Sequence, residues 1–205
     1  MNSSKVMLAI VCLAASACAT APAPQAAPPA TAGAQAAADT TRKGYTAADV
    51  RFMQNMIGHH AQALLLSGLV ESRTTREDFH LMAERIRLSQ ESEIAQMQRW
   101  LQQRGEQVPP ADASSHVAMG HGTPMPGMLT EAELNQLRSA RGVEFEKLFL
   151  QLMIKHHEGA LQMVRELYAA PGSGQEPELF ILASDVDADQ TAEIRRMRAL
   201  LDRLP

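Results

Sequence analysis

One phrase occurs twice in this chain, and the repetition limits the folds open to it. Residues 52–60 read FMQNMIGHH, and residues 149–157 read FLQLMIKHH. Each is followed by a second shared phrase, QESEIAQM at 90–97 and QTAEIRRM at 190–197. An apolar core can be built from many sequences and does not require the same polar residues in both halves. The recurrence therefore indicates a duplicated helical hairpin that carries a duplicated polar site.

The segments around these phrases are typical of helices. Aromatic residues make up only 4% of the chain, strong helix formers are plentiful, and apolar positions recur at helical spacing. Pairs of capping-box type mark three helix starts, Thr46 with Asp49, Thr75 with Asp78, and Thr130 with Glu133. We predict helices over residues 47–72, 75–104, 131–141, 143–169 and 177–203.

The connections between these helices determine the architecture. Residues 73–75 and 170–176 are short links, so each half forms an antiparallel pair of helices. The His pairs are offset by 97 positions (59 to 156) and the Glu phrases by 100 (93 to 193), and the difference falls in the turn of the second hairpin. The sequence predicts an all-α four-helix bundle over 46–204, with hairpin one at 46–104, a Met/His-rich linker at 105–129 and hairpin two at 130–204.

The first 45 residues do not resemble a folded domain. Lys5 precedes an apolar stretch that ends at Ala17, too short to span a bilayer, which predicts a signal peptide over 1–17. Cys18 then completes a lipobox-like sequence, and residues 18–45 are read as a lipidated cysteine with an Ala/Pro-rich tether. This predicts a lipoprotein on the periplasmic face of the outer membrane. Cleavage at the Ala-x-Ala site by an ordinary signal peptidase is the alternative and would give a soluble periplasmic protein.

Several function classes find no support in the sequence. The net charge of -4, with both signs interspersed, argues against a nucleic-acid partner. No nucleophile arrangement and no Gly-rich phosphate loop can be recognised. Di-iron bundles carry a Glu-x-x-His motif on two helices, whereas this spacing occurs once here, from Glu77 to His80, and the second half has Phe180 in place of the His. We therefore expect a binding protein rather than an enzyme.

Helical spacing places the repeated polar residues on shared faces. Met56 and His60 lie on one stripe with Asp49, and Met153 and His157 lie on the matching stripe with Glu146. Adjacent histidines diverge by about 100° around a helix, so His59 and His156 belong to a neighbouring face. On the partner helices the aligned residues are Glu93 with Met97 and Glu193 with Met197.

This set of side chains favours a soft metal. Imidazole and carboxylate suit zinc, iron or copper, whereas thioether selects Cu(I), so copper is preferred over zinc or iron. The metal candidates are His59, His60, His156, His157, Met56, Met153, Glu93, Glu193, Met97 and Met197. The linker adds possible ligands at His116, Met119, His121, Met125 and Met128. Two other interpretations stay open: a metal-free Glu–His network that fixes the register of the bundle, and Met residues that only fill the core.

The repeated motifs also resemble a known family. FMxxMIxHHxxAL, MIKHHEGALxM and the two QxxEIxxM phrases are similar to a bacterial domain-of-unknown-function family of ferritin-like bundles with tandem His-His hairpins, which includes the CopM-like copper-binding proteins. The resemblance covers residues 46–204 and implies an exported ferritin-like bundle that handles copper in some members. Two positions depart from the family pattern, Glu146 where Asp is common and Leu66 where Met is common.

Together these observations lead to one main functional expectation and two alternatives. We expect an exported protein that binds, buffers or transfers copper in the cell envelope. Its partners would be the metal ion, copper-transfer proteins of the envelope and, through the lipid anchor, the membrane. The alternatives are a metal-dependent redox enzyme of the ferritin-like class and a metal-free helical interaction module.

Overall fold

Helices account for most of the described chain. The structure, a computed structural model, describes residues 44–112 and 125–205. Its helices are α1 (Ala47–Gly68), α2 (Glu77–Gln103), α3 (Glu131–Ser139), α4 (Gly142–Ala169) and α5 (Pro177–Leu201), and a short 3₁₀ turn at Val70–Ser72 follows α1. α1 pairs with α2 and α4 pairs with α5, while α1–α4 and α2–α5 contacts join the two hairpins. The fold is the all-α four-helix bundle that the repeat predicts, and it agrees with the ferritin-like bundle that the family resemblance implies. The short α3 packs against α4.

Two of the predicted helix starts are confirmed in detail. At the start of α1, Thr46 accepts a hydrogen bond from the backbone N–H of Asp49, and the Asp49 carboxylate accepts one from Thr46 N–H. Thr130 and Glu133 make the same reciprocal pair at the start of α3. Each box satisfies two backbone donors that the first helical turn would leave without partners.

The predicted start of α2 at Thr75 is wrong. The helix begins at Glu77, and its N-cap residue, Arg76, supplies no side-chain hydrogen bond. The neighbouring Thr74 is the residue whose hydroxyl turns inward, where it donates to the Glu146 carboxylate at 2.5 Å. A long-range contact of the second hairpin therefore decides how this turn is built.

Asp49 and Glu146 occupy equivalent places in the two halves, and each ties a helix start to the turn of the other hairpin. Asp49 accepts hydrogen bonds from the backbone N–H groups of Thr46 and Gly174 at 2.7 and 2.8 Å. Glu146 accepts from Thr74, as described above, and lies 3.4 Å from Arg76 Nη1. Both carboxylates are buried near helix starts. At 1.5 Å per residue, Asp49 lies about 16 Å along α1 from His60. The two acids therefore join helices to turns at the ends of the bundle.

The apolar core is divided into two clusters. The Phe79 cluster draws on the C-terminal parts of α1 and α5 and the N-terminal parts of α2 and α4, and includes Leu66, Phe79, Phe149, Met153 and Met197. The Trp100 cluster draws on the opposite parts of the same helices and includes Phe52, Met56, Met97, Trp100 and Leu182. The residues between the clusters on all four helices are the repeated polar ones, so they form a layer across the middle of the bundle.

The predicted N-terminal segments overlap the described residues only at Gly44 and Tyr45. Tyr45, placed at the end of the tether by the sequence, packs edge-on against Trp100 with ring centroids 5.1 Å apart. The predicted signal peptide and Cys18 lie outside the described residues and stay predictions. Within the described part of the chain, no helix combines the length and the apolar character that crossing a membrane requires.

Candidate metal centre

The centre of the bundle is a buried polar layer. It consists of two residues from each phrase of each repeat, and none of them is more than 4% exposed: His59, His60, Gln90, Glu93, His156, His157, Gln190 and Glu193. Burying such groups is costly unless they are paired, hydrogen-bonded or bound to an ion. Because the same residues are buried in both halves, we infer that this layer is the duplicated polar site indicated by the repeat.

Within each hairpin, one histidine bonds one glutamate. The Nε2 atom of His60 lies 2.6 Å from Glu93 Oε2, and the Nε2 atom of His157 lies 2.7 Å from Glu193 Oε2. These short contacts join α1 to α2 and α4 to α5 at the same level of the bundle. They place the second histidine of each pair with the glutamate of its own hairpin.

The first histidine of each pair faces the other hairpin. The rings of His59 and His156 are tilted by 36° with centroids 3.9 Å apart, whereas the His59 and His60 rings are 6.4 Å apart. His156 donates from Nε2 to the backbone carbonyl of His59 at 3.0 Å, and His59 donates from Nε2 to the carbonyl of Pro126 at 3.0 Å. The two hairpins therefore meet through a contact between imidazoles, which helical spacing within one helix does not reveal.

The hydrogen bonds of the layer select one tautomer of these rings. A carbonyl oxygen can only accept, so Nε2 carries the proton in His59 and His156, and the carboxylates favour the same arrangement in His60 and His157. In His60, His156 and His157 the Nδ1 atom is buried and has no hydrogen-bond partner. Histidines that bind metals commonly donate their other ring N–H to a carboxylate or carbonyl in this way. Each of these three rings therefore has an Nδ1 lone pair available to a metal ion.

The charge state of His156 supports the same interpretation. Burial, and then the nearby His59, His157 and His60, hold the pKa of His156 well below the usual value of 6.5. His156 is therefore neutral at neutral pH. A neutral imidazole keeps the lone pair that a metal ion requires.

Further unsatisfied oxygen and nitrogen atoms lie in the layer. Glu93 Oε1, Gln190 Oε1 and both side-chain amide atoms of Gln90 are buried without a hydrogen-bond partner. Buried polar atoms of folded proteins are satisfied in the great majority of cases. Outside the layer, the described residues have only Ser67 Oγ and Arg73 Nε in the same state, and this concentration at one level marks the layer as a place for a ligand.

Oxygen and imidazole donors alone do not make a preformed coordination set. Within residues 44–112 and 125–205, no three His, Cys, Asp or Glu side chains converge as metal ligands. Fully buried thioethers flank the layer, with Met56 and Met97 in the Trp100 cluster and Met153 and Met197 in the Phe79 cluster. Met56 lies one turn before His60, and Met97 lies one turn after Glu93, so each half supplies sulfur close to its His–Glu pair.

The linker reaches this layer at its C-terminal end. Met125 and Met128 are half-buried, and Met125 packs against the Trp100 cluster. The other possible linker ligands, His116, Met119 and His121, lie outside the described residues. Of the five linker candidates, the structure thus places Met125 against the cluster that contains Met56.

Two residues that matter here were missed in the sequence. Gln62 and Gly159 occupy the same place in the two repeats, 97 positions apart, and both contact the linker. Other positions nearby also differ between the repeats, such as Gly58 and Lys155, so the sequence alone does not single them out.

Comparisons with known proteins identify relatives of this chain. The family model described as "Domain of unknown function (DUF305)" matches residues 49–201. The crystal structure of a DUF305 fragment from Deinococcus radiodurans is 34% identical with a TM-score of 0.66, and the match covers 78% of this chain and 99% of that chain. A DUF305 protein from Streptomyces coelicolor, described as secreted, is 31% identical with a TM-score of 0.64, over 76% of this chain and 91% of that one.

A third relative has been solved with metal. CopM in its Cu(I)-bound form is 25% identical with a TM-score of 0.56, covering 75% of this chain and 95% of that chain, and CopM structures with Cu(II) and with Ag are similar matches. No curated protein matches the chain. Because the family model spans well over half of its length, the chain belongs to the DUF305 family.

Proposed function

We propose that this protein binds copper in the cell envelope and that it takes the ion as Cu(I) within the polar layer. The observation that carries the proposal is the set of buried Nδ1 atoms in His60, His156 and His157 that have no hydrogen-bond partner. A network that served only to fix the register of the bundle would satisfy both nitrogens of each ring. The available lone pairs favour a ligand over a purely structural network.

The thioethers decide which metal we propose. Met56, Met97, Met153 and Met197 have no exposed surface, and they lie on either side of the layer. Thioether and neutral imidazole together favour Cu(I) over zinc or iron. The relative CopM, solved with Cu(I), Cu(II) and Ag, lends support because it shares this fold.

Each side chain has a distinct role in this proposal. His60 and His157 would supply nitrogen ligands, while Glu93 and Glu193 accept their Nε2–H groups and hold the rings in place. His59 and His156 form a shared inner pair between the two halves. The methionines complete the donor set, so the layer holds two related half-sites around one histidine pair.

Binding, buffering and transfer follow from the same chemistry. Sulfur and nitrogen ligands without a catalytic carboxylate set hold an ion and release it to a stronger acceptor. We therefore propose exchange with copper-transfer proteins of the envelope, with the Met/His-rich linker as the first point of contact. A lipid at Cys18 would keep the bundle at the outer membrane while the tether leaves it free to meet such partners.

Competition for Cu(I) tests this proposal. The metal-free protein is titrated against a chromogenic Cu(I) chelator of micromolar affinity, with Zn(II) and Fe(II) measured in parallel. We expect the protein to withdraw copper from the chelator and to bind Zn(II) and Fe(II) more weakly. Failure to remove any copper would reject the function.

A methionine variant identifies the site. Met→Leu conserves volume, so changing Met56, Met97, Met153 and Met197 together removes four sulfurs with little loss of packing. We expect Cu(I) affinity to fall at least about tenfold, which is the loss of roughly 1.4 kcal/mol of binding. Met82→Leu is the matched control, since Met82 belongs to the Phe79 cluster at a distance from the layer. Equal affinities of the two variants would contradict the role of the thioethers.

A further inference from the structure

The C-terminal end of the linker, residues 125–129, crosses the bundle as a docked strap. Gln62 on α1 holds its last residue at two points. The Gln62 amide donates to the Leu129 carbonyl at 3.1 Å, and its oxygen accepts the Leu129 N–H at 2.8 Å. Leu129 itself is buried in the Phe79 cluster. The strap is therefore fastened to the first hairpin by two hydrogen bonds to its backbone, one donated and one accepted by the same side-chain amide.

The strap also packs against the second hairpin, in a notch on α4 where Gly159 has no side chain. A Cβ atom at Gly159 on α4 would lie 2.1 Å from the Pro126 carbonyl oxygen and 2.5 Å from Gly127 Cα. Gly127 has a φ of +73°, and a Cβ there would lie 2.7 Å from the Lys155 carbonyl oxygen. Both approaches are closer than real Cβ contacts, so the strap touches the α4 backbone because both positions are glycine.

Beyond the strap, the chain is anchored firmly. Thr130 and Glu133 form the capping box that starts α3, and Glu133 also pairs with Lys155 of α4 at 2.5 Å. The strap thus has a fixed C-terminal end.

The strap also contacts the histidine layer directly. The Pro126 carbonyl accepts the Nε2–H of His59 at 3.0 Å, while the corresponding nitrogen of His156 is bonded to the His59 backbone inside the bundle. Gln62 and Gly159 are equivalent positions of the repeat with different residues. One strap therefore serves a duplicated bundle and makes the two halves unequal.

We propose that this strap covers the His59–His156 pair and limits the access of soft cations to it, with Gly159 and Gln62 as the residues that position it. The access role rests on the proposed copper function, whereas the docking does not. When the strap lifts, His59 loses the hydrogen bond to the Pro126 carbonyl and the His59–His156 pair opens to the solvent side. Removing the two hydrogen bonds that Gln62 makes should raise the equilibrium constant for opening of the strap on the order of tenfold.

Two glycine variants test the docking in the metal-free full chain. Gly159→Ala places a methyl group in the notch. Gly68→Ala is the matched control, because a Cβ at this helical glycine meets nothing within 4 Å. Amide hydrogen exchange is measured by mass spectrometry on peptides that contain residues 125–129. We expect exchange there to rise about tenfold or more in Gly159→Ala, while it stays unchanged in α2 and in the Gly68→Ala control. Equal protection in the two variants would overturn the docking.

Gln62→Ala provides a second route that adds no bulk to the core. It removes both hydrogen bonds to Leu129 and should produce the same local rise in exchange, even if Gly159→Ala folds poorly. Unchanged exchange in Gln62→Ala would also count against the docking.

The rate of copper capture tests the access role. Cu(I) is supplied as its chromogenic chelator complex, and the loss of colour is followed in time. Both strap variants should capture Cu(I) faster than the Gly68→Ala control, by about the factor seen in exchange, and should reach the same stoichiometry. Faster exchange with an unchanged capture rate would overturn the access role. If no form of the protein captures copper, the proposed function fails together with the access role, and the exchange data still decide the docking.

Discussion

The contact between His60 and Glu93 allows the energetics of the polar layer to be measured. The two atoms that join them are 2.6 Å apart, and both residues are buried, with exposures of 0% and 4%. Glu93→Leu leaves the His60 Nε2–H without an acceptor, which should lower the free energy of unfolding by about 1–3 kcal/mol. His60→Leu leaves a buried carboxylate without its donor and should lower it by about 3–5 kcal/mol.

The double variant should behave differently from the sum of the two. Replacing both partners by leucine removes the unsatisfied groups, and such replacements are often neutral or stabilising by about 1–4 kcal/mol. We therefore expect the variant with both His60→Leu and Glu93→Leu to have a free energy of unfolding at least as high as that of the unaltered protein. The coupling energy between the two positions would then be about 4 kcal/mol or more.

Urea denaturation of the metal-free protein measures this cycle. The slope of the free energy against urea must stay constant among the variants for the comparison to hold. The control is the cycle His80→Leu with Glu71→Leu, because that pair is 3.1 Å apart but the Glu71 side chain is 88% exposed. An exposed pair contributes at most about 1 kcal/mol. A coupling energy at His60 and Glu93 no larger than that of the control would refute the reasoning.

Two further predictions concern pH and the N-terminus. The pKa of His156 lies well below 6.5 in the folded state, so the unfolded chain binds a proton that the folded protein does not. The free energy of unfolding of the metal-free protein should therefore decrease as the pH is lowered beyond about 6.5, and this group should contribute about 1.4 kcal/mol per pH unit. His156→Gln should remove that part of the slope. An identical slope in the variant would contradict the assignment. Cys18→Ser should move the protein from the outer-membrane to the soluble periplasmic fraction with unchanged Cu(I) binding, as judged by fractionation and the intact mass of the mature N-terminus. An unmodified N-terminus in the soluble fraction of wild-type cells would show that Cys18 is not lipidated.

The bundle itself could be predicted because its signals are local. Capping pairs at Thr46 and Thr130 mark helix starts that the structure confirms, since the two partners are only three residues apart. Where a long-range contact competes, the local signal fails. Thr75 resembles a cap, but the neighbouring Thr74 bonds Glu146 of the other hairpin and the helix begins at Glu77.

The polar stripe shows the same limit. Helical spacing places Asp49 on one face with Met56 and His60, which suggests a common role. In the structure Asp49 bonds the turn that contains Gly174, at the end of the bundle, whereas His60 bonds Glu93 in its middle. A shared face of one helix spans several levels of a bundle, and each level meets different neighbours.

The repeat by itself determined that the protein is a duplicated helical bundle and which polar residues recur, because side-chain spacing along a helix is a property of the sequence alone. Only the tertiary structure decided that His59 meets His156 across the two hairpins. It also decided that a linker segment docks on Gln62 and Gly159. The physical reason is that periodicity specifies a direction around one helix, whereas a partner on another helix depends on packing register, and register is set by contacts distributed over the whole core.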